Sequence, residues 1–137
     1  MKQFAAFLTA VFAAVVLLGS IQTTADAATY PLKKISPQEV AVLIETQRPI
    51  ALVDVRSLPD FKTAHIPMAI SIPMAIMADA MTHTMLPDIH KVIVVYGATE
   101  KMSQEAGQLL CDFGYQNVYR LASFADWKGE VVKTVKK

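Results

Sequence analysis

The run Lys91-Val92-Ile93-Val94-Val95-Tyr96 limits what this chain can fold into more than any other feature. A nearly unbroken β-branched stretch has no polar face to offer water, so it suits a parallel strand covered on both sides. Three further segments read as strands: residues 51–55, 69–72 and 117–121. Helical patterns fall between them. Ser36 caps one helix, Pro37 fits its first position, Glu39 completes a capping box, and Val40, Leu43 and Ile44 share its apolar face. Residues 73–85 place Met74, Met77, Met81 and Met85 on one helical stripe. Residues 101–113 place Met102, Ala106, Leu109, Leu110 and Phe113 on another, with Gly114 where a C-terminal cap glycine belongs. Residues 124–128 form a short turn, and residues 28–33 read as a loose lead-in. Strands alternating with helices specify an α/β domain with a mostly parallel sheet.

The first 27 residues read as a secretory signal peptide. Lys2 supplies its positive start, Ala5 to Gly19 its apolar core, and Ala25-Asp26-Ala27 its cleavage site. The apolar stretch is short for a membrane span, and no cysteine follows it to take a lipid. Cleavage leaves residues 28–137 as a single domain, exported to a periplasm or fully secreted, with no membrane attachment. The rival reading is an uncleaved membrane anchor. The net charge of +1 gives no basic stripe for nucleic acid. Cys111 is the only cysteine, so no internal disulfide forms.

One long motif carries a family resemblance. Asp54-Val55-Arg56-Ser57-Leu58-Pro59-Asp60-Phe61-Lys62-Thr63-Ala64-His65-Ile66-Pro67-Met68-Ala69 resembles the D-V-R-x-x-x-E-[FY]-x-x-G-H-I-P-G-A motif of rhodanese-like domains. Ala64 and Met68 stand where that family usually has glycines. Asn117-Val118-Tyr119-Arg120-Leu121 and Trp127 resemble its N-V-Y-x-L strand and closing tryptophan, although Ala122-Ser123 replaces a Gly-Gly pair. The resemblance spans roughly residues 34 to 130. It implies a rhodanese-like fold: a five-stranded, mostly parallel sheet with helices on both faces and an active-site loop after the fourth strand.

In active members that loop reads roughly C-x-x-G-x-R-S. Its cysteine accepts a sulfane sulfur as a persulfide, helped by inward-facing amides at a helix N-terminus. Here the loop reads Gly97-Ala98-Thr99-Glu100-Lys101-Met102-Ser103. Gly97 stands at the nucleophile position, Glu100 replaces the glycine and Met102 the arginine. An alcohol on Thr99 or Ser103 cannot form a persulfide. The expectation is an inactive catalyst with no catalytic residue and no cofactor, acting as a binding or accessory module for an unknown protein or a small anion. Thr99 caps the following helix and Glu100 suits its dipole. A weak anion cradle would use Thr99, Lys101, Ser103 and Arg56. Asp54 and Arg56 otherwise form a polar pair that holds loops, and Trp127 joins the core.

Two alternatives remain. Cys111 could carry sulfur in place of the missing nucleophile. It lies about 18 Å along the helix from Thr99, however, and shares a face with Gln104 and Gln108. It reads as a tolerated, half-buried thiol or an accessible one that pairs with another protein. Met77, Met81, Met85 and His83 could bind Cu(I), since thioether and imidazole suit that ion. Against this, a methionine stripe at helical spacing usually packs a core, and His83 falls nearly opposite Met81 and Met85. An exposed methionine surface would instead dock a partner. His65, inside the family motif, reads as structural.

Overall fold

The computed structural model describes residues 30–134. The proposed signal peptide therefore lies outside the described residues. Five strands form one parallel sheet in the order β1-β5-β4-β2-β3. They are β1 (Lys33–Lys34), β2 (Ile50–Asp54), β3 (Ala69–Ser71), β4 (Val92–Tyr96) and β5 (Val118–Arg120). The helices are α1 (Pro37–Glu45), α2 (Leu58–Thr63), α3 (Asp79–Met85) and α4 (Glu100–Asp112), with 3₁₀ turns at Met74–Ile76 and Phe124–Asp126.

Alternation along the central strands divides the core. Ala51, Val53, Ile93, Val95 and Val118 meet Ala106, Leu110 and Cys111 of α4 on one face, with Met77 and Leu86 beside them. Leu52, Val94 and Tyr96 meet Val40 of α1, Ile66, Leu121 and Trp127 on the other. Central strands buried on both faces explain the run of β-branched residues. The capping box of α1 forms as expected: the Glu39 amide donates to Ser36 Oγ, and the Ser36 amide donates to the Glu39 carboxylate. That pairing lowers the Glu39 pKa. Gly114 follows α4 with φ +96°, the left-handed conformation that favours glycine.

The two replaced family glycines behave differently. Ala64 is extended, at φ −163°, so a side chain costs nothing there. Met68 keeps a left-handed φ of +71° without being glycine, a strain of about 1–2 kcal/mol.

Four expectations are corrected. The described part of the expected loose lead-in over residues 28–33 is tied to the fold: Lys33–Lys34 pair with Tyr119 and Arg120, and Leu32 presses on Gly107 of α4. The buried face of α4 is accordingly Ser103, Ala106, Gly107, Leu110 and Cys111. Leu109 and Met102 lie only partly buried at its rim. Residues 73–85 are not one helix. The 3₁₀ turn ends at Met77, whose amide donates to the Met74 carbonyl, and α3 begins afresh at Asp79. The break shifts the helical phase, so Met77 enters the core while Met81 (48% exposed) and Met85 (39%) face solvent. Cys111 does not share the exposure of Gln104 and Gln108; it is 2% exposed in the core.

Candidate functional site

A parallel sheet brings the ends of all its strands to one edge, where open α/β folds gather ligands. Here Asp54, Ser71, Tyr96 and Arg120 end four strands at that edge.

The loop after β2 is built on a buried ion pair. Nε of Arg56 donates to Asp54 Oδ1 and Oδ2 at 3.1 Å each, and Nη2 donates to Oδ2 at 2.8 Å. Nη2 also reaches the Ala64 carbonyl, which ties the start of the motif to its end. The guanidinium lies 3.9 Å from the Phe124 ring centroid and 5.8 Å from that of Tyr96. Burial alone would lower the Arg56 pKa, but hydrogen bonding and attraction to Asp54 raise it. The expected polar pair is present, and its forked donors serve the fold rather than an open site. The Tyr96 hydroxyl accepts from the Ile66 amide at 3.2 Å, joining β4 to the same motif. Burial pushes the Tyr96 phenol well above its ordinary range. His65 stacks on Phe61 at 3.8 Å, and its Nδ1 donates to the Phe61 carbonyl. Its backbone bridges Val132, a structural placement that matches its reading from sequence.

The loop after β4 is short: α4 starts at Glu100 with Thr99 as its cap, and Thr99 Oγ1 accepts from the Met102 amide at 3.2 Å. Gly97 is buried. A Cβ built on it would lie 2.6 Å from Met102 Cγ and 2.9 Å from its Sδ. Met102 therefore fills the space a side chain at position 97 would need. The Gly97 amide donates to Ser103 Oγ at 2.8 Å, and Ser103 Oγ lies 3.0 Å from the Ala122 carbonyl and 3.1 Å from that of Thr99. The Gly97 carbonyl accepts from the Phe124 amide. The Gly97 amide and carbonyl and the Ser103 hydroxyl are thus tied to neighbouring segments.

The four residues expected to line an anion cradle do not converge. Thr99 caps the helix, Ser103 is fully buried, and Arg56 holds Asp54. Lys101 is 86% exposed and turns to Glu105 at 3.8 Å. A residue not singled out from the sequence does reach the loop. Arg120, at the end of β5, donates from Nη1 to Glu100 Oε1 at 3.1 Å. An arginine where the resemblance places a variable position of a buried strand was the available signal.

Cys111 packs inside the core cluster. Burial, reinforced by neighbouring Asp112, raises its pKa, which disfavours the nucleophilic thiolate. The methionines and His83 do not gather either. The His83 ring stacks on Tyr115 at 5.0 Å, and its Nδ1 lies 2.8 Å from Asp79 Oδ1. That flank of α3 faces the end of α4, away from the exposed Met81 and Met85. No cluster of three or more His, Cys, Asp or Glu side chains with metal-binding geometry occurs among the described residues.

The Pseudomonas aeruginosa thiosulfate sulfurtransferase is similar at 27% identity and a TM-score of 0.68, over 75% of this chain and 20% of that one. An Escherichia coli rhodanese solved with anions is 26% identical, with a TM-score of 0.55 over 61% of this chain and 96% of that one. Among curated proteins, the chicken (Gallus gallus) centrosomal protein of 41 kDa is 31% identical over 80 residues. That match covers 54% of this chain and 22% of the chicken protein, so the chain spans about a fifth of that relative's length. The family model for the rhodanese-like domain matches residues 36–130. With that match over most of the chain, and the five parallel strands in place, the protein belongs to the rhodanese-like domain family, related to sulfurtransferases.

Proposed function

We propose that this protein is an exported rhodanese-like module that does not transfer sulfur and instead serves as a binding or accessory domain. The observation that carries the reading is Met102 filling the space beside Gly97. Sulfur transfer in this family needs a thiolate at that position, in a loop whose amides face an incoming anion. Here the position has no side chain, its space is filled, and the Gly97 and Met102 amides are bonded within the protein. Export is supported by the N-terminal sequence pattern: a lysine, an apolar stretch and Ala25-Asp26-Ala27.

The test is to incubate the reduced, mature protein with thiosulfate and cyanide, following thiocyanate and intact mass together. The expected result is no thiocyanate above background and no added sulfur. Turnover with a sulfur adduct would overturn the reading and place the sulfur on Cys111, the only thiol.

A further inference from the structure

We propose that Glu100 is a built-in anion: held by Arg120, its carboxylate occupies the positive end of α4 and keeps external oxyanions out of the loop. This rests on the reading above, in which the loop takes no sulfur donor. Arg120 projects from the end of β5 on the face covered by α4, and its side chain is only 8% exposed. A buried guanidinium demands an acceptor. Among the described residues, Glu100 is the one acceptor its side chain bonds. The contact is a single one, Nη1 to Oε1 at 3.1 Å. A guanidinium carries five N–H donors and commonly grips a carboxylate with two of them. Among the described residues, most of the donor capacity of Arg120 is therefore unmatched.

Glu100 is 61% exposed and stands at the first residue of a thirteen-residue helix, where the dipole favours negative charge. It is the resident counterpart of the ligand such a position attracts. Lys101 does not compete for it, being turned to Glu105. With Glu100 in place, the charge of Arg120 is balanced and an incoming dianion meets a carboxylate. Without that charge, a recessed arginine beside a helix N-terminus faces solvent uncompensated, which makes an oxyanion site.

Sulfate, which donates no sulfur, is the probe. Amide and arginine side-chain resonances of the mature protein are followed at low, constant ionic strength. Glu100→Gln is expected to bind sulfate at least about tenfold more tightly than the native protein. The shifts should fall on residues 98–101 and on the Arg120 Nε–H, and Glu100→Gln/Arg120→Leu should lose the gain. Equal affinity in the native and Glu100→Gln proteins, or a gain that survives loss of Arg120, would overturn the proposal. If the double variant does not fold, an unmoved Arg120 Nε–H in Glu100→Gln is the overturning result. Thiocyanate from the native protein would instead count against the non-catalytic reading, so the two failures are told apart.

Discussion

The loops after β2 and β4 leave the sheet one strand apart, with Asp54 paired in register to Tyr96. They are held by opposite means. The first is fixed by charge: Asp54 and Arg56 are both buried, and the guanidinium spans from β2 to the Ala64 carbonyl under an aromatic lid. The second is fixed by volume and by one hydroxyl: Met102 lies against Gly97, and Ser103 joins the strand end to the Thr99 and Ala122 carbonyls. A buried charge tolerates no loss of its partner, so the first loop retains the family's Asp-x-Arg pattern. A contact filled by a flexible thioether tolerates many solutions, so the second can depart from the family without disturbing the sheet.

The comparison makes predictions of decreasing size. Asp54→Ala leaves Arg56 buried without its carboxylate and should cost about 3–5 kcal/mol, close to the whole stability of a small domain. Urea denaturation measures it, and a loss under about 1 kcal/mol would break the claim that charge holds the first loop. Gly97→Cys forces a side chain against Met102 and should cost about 1–3 kcal/mol. Gly97→Cys/Met102→Ala should recover part of that loss. A single variant as stable as the native protein would show that volume does not hold the second loop.

The smallest effect appears only in alkali. Cys111 and Tyr96 both titrate above their ordinary values of 9.0 and 10.0 in the folded protein, chiefly through burial. The unfolded chain therefore loses these protons first, so stability is full below about pH 9 and falls as pH rises beyond it. The urea midpoint should stay level as neutral pH is raised toward 9 and then decline, and Tyr96→Phe should flatten the later part of the decline. A midpoint that rises across this range would contradict the buried placement of both groups.

Much of the scaffold is legible in the residues because its signals are local. The Ser36–Glu39 capping box, Gly114 after α4 and the β-branched run of β4 each depend on a few adjacent positions, and each appears where expected. The Asp54–Arg56 pair is local too, two residues apart at a strand end. Helix phase was harder to read. One hidden break after Met77 separates methionines that a continuous 3.6-residue period would align. The buried face of α4 turns toward Ser103 and Gly107 because Leu32, distant in sequence, packs there.

The sequence by itself determined the fold class, the family and the absence of a side chain at position 97, since each follows from residue identity and near-neighbour pattern. Only the tertiary structure decided that Met102 fills that space, that Arg120 meets Glu100, and that Cys111 lies in the core. The pairing of Arg120 with Glu100 spans twenty positions, and the burial of Cys111 depends on what lies over α4. Excluded volume and burial belong to packed surfaces, and a linear pattern does not say which surfaces meet.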